Sequence, residues 1–307
     1  MDKGRIIVVG SSNMDMVVKT NHIPVPGETV LGGEFFMNPG GKGANQAVAV
    51  ARLNADVAFV SKIGDDIFGK QSMQLFEEEG IDIQGMVSDE NGPSGVALIT
   101  VDKDGENSIV VAPGANGKLM PEEVIPTLNK IDNISILLMQ LEIPMNTVRE
   151  VAEYGRSNNI TVVVNPAPMH GDLAEMLPLI DIITPNAKEA EMLAGIPVVD
   201  VESAKEAALL IYESGVKKVV VTIGRHGALI VDNGEVIHVP ATEVETVDTT
   251  AAGDSFNGAL VVGLSEGKTL LEAVQFACAA AAITVTRLGA QSAMPYRNEL
   301  IDNLLDI

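Results

Sequence analysis

From about residue 118 onward the chain alternates short apolar runs with amphipathic stretches, and this rhythm constrains the fold more than any other feature. NISILLMQLE, NITVVVNPAP, LIDIITPN and KKVVVTIGRHGALIV carry compact β-branched runs, while TVREVAEYGRSN and ESAKEAALLIYESG between them have helical spacing. Near-continuous apolar runs suit strands buried on both faces, because a strand with one wet face would alternate. Repetition of strand, helix and strand then predicts an α/β fold, with a mostly parallel central sheet and helices on both faces. Upstream, Arg5 to Gly10 reads as a buried first strand, Gly43 to Leu53 as an Ala-rich helix, and Asp56 to Ile63 as another strand. Two stretches break the rhythm. Met16 to Met37 and Ser94 to Ala112 are β-rich without intervening helices, and DKDG at Asp102 to Gly105 is a hairpin signal. They are expected to form a small antiparallel lid, from about 12–40 and 93–113, on a single domain covering 1–307. Such a sheet has a face to cover, so it should close over a site, pack on a second subunit, or both.

Composition decides what kind of core and partner suits this frame. Hydrophobic residues make up 46% of the 307, but aromatics only 3% and Trp none, so the core must be aliphatic, with the 13 Met as filler. A net charge of −22 repels polyanions and argues against nucleic acid as a partner. Cys278, the single cysteine, excludes an intramolecular disulfide framework and fits a reducing, cytoplasmic compartment. The first residues lack signal-peptide architecture, and the apolar runs are too short or interrupted for a bilayer.

Open α/β sheets bind ligands beyond the carboxyl ends of their strands. That rule lines up Gly10 to Asp15, Gln140 to Glu142, Asn165 to Pro168, Pro185 to Asn186 and Thr222 to Gly227 on one rim. VDTTAAGDSF, at Val247 to Phe256, runs directly into the apolar NGALVVGL. Small residues let a backbone approach a ligand, and an opening helix presents free N–H groups to an anion. Asp254, in the first turn, could take a proton from a hydroxyl while amides hold a phosphate, as phosphoryl transfer requires. An acid there is equally a simple partner of the helix dipole. In NPGGKGANQA, at Asn38 to Ala47, three glycines and Lys42 precede a helix without the spacing of a P-loop. The first strand ends in GSSNMD rather than GxGxxG, which argues against a dinucleotide-dependent oxidoreductase. Asn13 and Asp15 form an acceptor pair suited to vicinal hydroxyls, or a plain turn. His22, His170, His226 and His238 are too scattered for a metal cluster and read as structural or surface residues.

GGKGANQA at Gly40 to Ala47 and DTTAAGD at Asp248 to Asp254 resemble the two signatures of the ribokinase-like sugar kinase family, in the right order. PGET, NPAP, TPNAKEAE, TIGRHG and VTRLGAQ match as well, so the resemblance covers essentially the whole chain. It implies that Asp254 is the general base and that Ala251, Ala252 and Gly253 form the anion hole for the transferred phosphoryl group. It also implies that Asn13, Asp15, Gly41, Lys42, Asn45 and Glu142 hold the sugar. Asn186 and Glu189 would serve magnesium and phosphate; Thr222, Gly224, Arg225, Gly227 and Gly253 would serve ATP, with Cys278 near the adenine. A potassium site would use Asp248, Thr250, Thr284, Arg287, Gly289 and Ala293, mostly through carbonyls; Ala293 stands where the family commonly has serine. The implied reaction is ATP-dependent phosphorylation of D-ribose at its primary hydroxyl, with Mg2+ and K+, in a homodimer paired through the lid. Deoxyribose, fructose, a keto-deoxy acid or a nucleoside are alternative acceptors, and a catalytically silent sugar sensor is the rival of another class.

Overall fold

The computed structural model describes residues 4–169 and 173–304. The chain opens with β1 (Arg5–Val9), β2 (Asn13–Lys19), β3 (Glu34–Gly40) and α1 (Lys42–Arg52), then β4 (Val57–Val60), β5 (Lys62–Gly64) and α2 (Ile67–Glu78). Next come β6 (Val87–Asp89), β7 (Gly95–Val101), β8 (Asn107–Ala112), α3 (Pro121–Leu128), β9 (Ile134–Met139), α4 (Met145–Ser157) and β10 (Thr161–Val164). The remainder is β11 (Ile182–Ile183), α5 (Ala187–Ala194), α6 (Val201–Glu213), β12 (Lys218–Thr222), β13 (Ala228–Asp232), β14 (Glu235–Val239), α7 (Ala252–Ser265), α8 (Leu270–Thr284) and α9 (Arg297–Leu304).

The central sheet runs β14-β13-β12-β11-β10-β9-β1-β4. Its strands from β12 to β4 are parallel, and β13 and β14 add an antiparallel edge. Alternate residues of β1 feed two aliphatic clusters. Ile6 and Val8 pack with Ala44, Val48, Leu260 and Ala277 from α1, α7 and α8. Ile7 and Val9 pack with Val124, Val148 and Ala207 from α3, α4 and α6. Burial on both faces is why β1 is a continuous apolar run.

Three expected elements are redrawn. KKVVVTIGRHGALIV is two antiparallel strands, because Gly224 and Gly227 reverse the chain at φ +57° and +88°. A Cβ on Gly227 would lie 2.0 Å from the Val239 carbonyl oxygen, so only glycine fits. Asp56 to Ile63 divides into β4, in the central sheet, and β5, which leaves it to pair with β6. Asn13 and Asp15 lie within a strand, β2, rather than a turn.

The second sheet, β3-β2-β7-β8, joins two antiparallel pairs through a parallel β2–β7 contact. The DKDG turn connects β7 to β8, its reversal held by Asp102 Oδ1 accepting the Asp104 and Glu106 amides at 2.9 and 3.0 Å. Strand alternation splits its faces. Asn13, Asp15, Gly40 and Ala97 share one side, and Val18, Phe35, Met37, Leu98 and Val110 share the other.

Candidate active site

Helix α7 begins at a strained corner. Ala251 adopts the left-handed region at φ 58° and ψ 13°, which costs a non-glycine residue about 1 kcal/mol. The Ala252 amide makes a 3.3 Å turn bond to the Thr249 carbonyl, while the Gly253 and Asp254 amides find no acceptor among the described residues. A Cβ built on Gly253 meets nothing within 4 Å. The positive end of a 14-residue helix therefore faces open space with free donors.

Asp254 lies behind this opening, only 6% exposed. Its Oδ2 accepts from Asn45 Nδ2 and its Oδ1 from Gln46 Nε2, each at 2.9 Å. Burial pushes its pKa up, and the Lys42 charge and the two amide donors oppose that rise. Lys42 opens α1 among four acids. Burial favours its neutral form, but Asp254, Glu142, Glu189 and Asp15 outweigh burial and raise its pKa. Asp15 is pushed up to about 6, first by burial and then by Glu142 and Asp254, with Lys42 opposing. The site thus concentrates acceptors around one fixed cation.

The residues expected to hold the sugar come together. Glu142 Oε2 accepts from Ser11 Oγ and, at 3.0 Å, from the Lys42 amide, tying the rim after β9 to the start of α1. Gly41, at φ +90°, is needed because a Cβ would lie 2.8 Å from the Asn13 amide. At Gly40 a Cβ would strike the Asp15 carboxylate at 2.1 Å. Asn116 escaped the motif reading. Buried at 1% exposure, it accepts from the Ser12 amide at 2.9 Å and donates to the Ser12 carbonyl at 3.0 Å and Asn13 Oδ1 at 2.7 Å. It clamps the start of β2.

Asn186 and Glu189 make a reciprocal capping box on α5. Asn186 Oδ1 accepts the Glu189 amide and Glu189 Oε2 accepts the Asn186 amide, both at 2.9 Å. Burial lifts the Glu189 pKa despite that amide bond and Lys42. Asn186 bridges to Thr222, which joins the NxxE motif to the TIGRHG loop, where Gly224, Arg225 and His226 are exposed. Cys278, on α8, packs against the aliphatic cluster; burial pushes its thiol to about 11, so it stays protonated.

Of the six expected cation residues, three form one knot. Asp248 Oδ1 accepts from the Thr250 amide at 2.9 Å and from Thr250 Oγ1 at 2.6 Å, and its Oδ2 accepts from the Gly289 amide at 2.9 Å. Burial raises the Asp248 pKa, but those donors outweigh it and keep the carboxylate ionised. The other three offer no side-chain ligand there. Thr284 Oγ1 donates to Ala280 O at 2.9 Å and lies 2.8 Å from Ser255 Oγ, Arg287 pairs with Glu299, and the Ala293 methyl is fully buried. A cavity of about 620 Å³ lined by Arg52, Arg287, Tyr296 and Arg297 includes no residue assigned to sugar or phosphate. No group of three or more His, Cys, Asp or Glu able to hold a metal occurs among the described residues. His22 pairs with Glu28 at 2.9 Å and His238 Nε2 contacts the His226 carbonyl at 2.7 Å, so both are surface residues; His170 lies outside the described residues. No helix among the described residues is long and apolar enough to cross a membrane.

A ribokinase of Haemophilus influenzae is 44% identical over 299 residues, covering 97% of this chain and 98% of its own. A deoxyribokinase of Salmonella typhimurium is 36% identical over 291 residues, covering 94% and 95%. The structure of Arabidopsis thaliana ribokinase complexed with ribose and ATP has a TM-score of 0.92 to this one, at 34% identity, covering 99% of each chain. Residues 3–297 match the sequence profile of the pfkB family carbohydrate kinase. With both signatures built into one buried site and the match running the length of the chain, the protein belongs to the pfkB family of carbohydrate kinases.

Proposed function

We propose that the protein transfers the γ-phosphoryl group of ATP to the primary hydroxyl of D-ribose, giving D-ribose 5-phosphate. The observation that carries this reading is Asp254: a buried carboxylate with both oxygens held, directly behind a helix start whose amides face open space. Asp254 takes the proton of the attacking hydroxyl, which sharpens that oxygen as a nucleophile. The amides of the Ala251–Gly253 turn meet the charge that grows on the phosphoryl oxygens, and fixed dipoles there need no reorganisation. Lys42 adds positive charge at the same place. Asn13 and Asp15 face the sugar side of the lid, where they accept from vicinal hydroxyls, while Lys42 and Asn45 donate. Thr222, Gly224, Arg225 and Gly227 take the nucleotide, and Cys278 packs near its base.

Two ions suit the donor sets. Glu189 offers one carboxylate oxygen not used by its capping box, and with Asn186 it would hold Mg2+, an ion that usually takes one or two carboxylates with phosphate oxygens. Bound there, Mg2+ would neutralise phosphate charge. The ionised Asp248, with Thr250, Gly289 and the carbonyls of Thr284, Arg287 and Ala293, is an all-oxygen set for K+ that would order the corner before α7. It needs no side chain from Ala293.

The chain acts as a single domain whose second sheet is the lid. The lid's outer face carries Phe35, Met37, Leu98 and Val110, exposed at 60, 45, 54 and 64%, which suits pairing with a second copy in a cytoplasmic homodimer. Sedimentation should find a dimer that Leu98→Asp converts to monomer; a wild-type monomer would remove this role.

A coupled ADP-release assay with ribose, 2-deoxyribose, fructose, a keto-deoxy acid and adenosine tests the acceptor. Ribose should lead, because 2-deoxyribose leaves the half-buried acceptors of Asp15 without a hydroxyl donor. A preference for 2-deoxyribose, the substrate class named by the Salmonella relative, would overturn the ribose assignment. Asp254→Asn should bind both substrates yet lose about 10²–10⁴ in turnover; a wild-type rate would remove Asp254 as the base.

A further inference from the structure

Three polar residues of the motifs above have no part in the chemistry so far: Gln46 of GGKGANQA, Gln140 of MQLE and Asn165 of NPAP. All three are buried, at 0, 0 and 7% exposure. They come from α1 and from the ends of β9 and β10, and they meet. Gln46 Nε2 donates to Asp254 Oδ1 at 2.9 Å and to Asn165 Oδ1 at 3.2 Å, while Gln46 Oε1 accepts from Gln140 Nε2 at 2.6 Å. A carboxamide donates at one end and accepts at the other. With Gln140 donating to the oxygen end, the nitrogen end must face Asp254. Asn165 extends the chain of bonds. Its Nδ2 donates to the Thr184 carbonyl at 3.0 Å, Thr184 Oγ1 donates to Asn257 Oδ1 at 2.6 Å, and Asn257 Nδ2 donates to the Gly253 carbonyl at 2.8 Å. That carbonyl and the Asp254 amide share one peptide plane. One network therefore reaches both the Asp254 carboxylate and the Asp254 amide, one of the two free donors at the start of α7.

We propose that Gln46 is a positioning residue for Asp254, its amide held in a single orientation by Gln140 and Asn165. The inference rests on Asp254 being the general base. Asn45 fixes one carboxylate oxygen and Gln46 the other, so together they set the plane of the carboxylate and the direction of the lone pair that receives the proton. Among the described residues no other side chain donates to Asp254 Oδ1. Without Gln46 the carboxylate can turn about its last torsion. A misplacement of about 1 Å at a reacting group costs about 10² in rate.

The test is steady-state kinetics on Gln46→Met and Gln140→Met, both unbranched and apolar, with Asp254→Asn as reference and thermal melting alongside. Gln140 makes no hydrogen bond to Asp254, so its variant loosens Gln46 without touching the base. Gln46→Met should lower kcat about 10- to 100-fold while leaving KM for sugar and ATP within about threefold. Gln140→Met should show the same split at smaller size. The acid limb of kcat against pH should move upward in Gln46→Met, because Asp254 loses a donor that favours its ionised form. The charged groups facing Asp254, namely Lys42, Glu142, Asp15 and Glu189, are the same in both proteins. If Gln46→Met keeps kcat within twofold, or loses kcat only in step with KM and melting temperature, the positioning role is overturned. Should Gln46→Met not fold, an unchanged kcat and acid limb in Gln140→Met overturn it. Near-wild-type turnover in Asp254→Asn would instead remove the base assignment, so the two failures are distinguishable.

Discussion

Gly253→Ala separates what the fold needs at the start of α7 from what the ligand needs. Gly253 has ordinary helical backbone in the first turn, and a Cβ there meets no protein atom within 4 Å. In the unliganded protein the added methyl therefore has no steric cost, and replacing glycine within a helix contributes about 0.5–1 kcal/mol of stability. For a chain of this length that is a rise of about 2 °C in Tm. The same methyl projects into the space the helix-end amides face, where the transferred phosphate must come within hydrogen-bond distance. Displacing it weakens donors worth about 10²–10³ in kcat each. Differential scanning fluorimetry and coupled ADP release on one preparation read both effects. Tm should rise or hold while kcat collapses. Undiminished turnover would show that phosphate does not approach this helix start, and a marked fall in Tm would show that the space before Gly253 is taken by the protein itself.

Asp15 gives a pH signature. Its folded pKa of about 6 stands above the ordinary aspartate value of 3.8, so folding disfavours the ionised form, and the unliganded protein gains stability as pH falls from above 6 toward 4. Asp15→Asn should melt higher than wild type at pH 7.5, with the gap narrowing below pH 6 and nearly closed at about pH 4; a gap independent of pH refutes the shift. The sugar KM of the wild type should also rise below pH 6, as the carboxylate loses its acceptor strength. Asn116→Leu leaves the Ser12 amide and Asn13 Oδ1 without their partner, at about 1–3 kcal/mol per buried group. Urea melts should show the loss, together with a raised sugar KM; unchanged sugar affinity would separate the clamp from the pocket. Replacing potassium by sodium should reduce turnover, and Asp248→Asn should abolish the difference, whereas indifference of the wild type to the ion removes the site.

The α/β frame was legible because parallel strands buried on both faces must be continuously apolar, and Ile6 to Val9 and Val219 to Val221 are. Asp254 and the two signature loops stood out because small residues precede an opening helix in each, and the family resemblance supplied the roles proposed for them. Strand continuity was harder to read. Nothing local distinguishes Lys62 to Gly64 from the strand before it, and its departure to pair with β6 is decided by a partner distant in sequence. Motif matching passed over Asn116 and gave Gln46, Gln140 and Asn165 no role, since a buried amide takes its role only from the group it meets.

Sequence alone determined the layer architecture and the aliphatic core, because these follow from periodicity and composition, while the residues proposed for sugar, nucleotide and phosphate were implied by the family resemblance. Tertiary structure decided which groups those side chains meet. Only the fold places Asn45 and Gln46 of α1 on the carboxylate of Asp254, 209 and 208 residues away, and burial there, with the charge of Glu142, lifts its pKa against the charge of Lys42. Hydrogen-bond direction and desolvation are properties of an assembled site, and no single segment carries them.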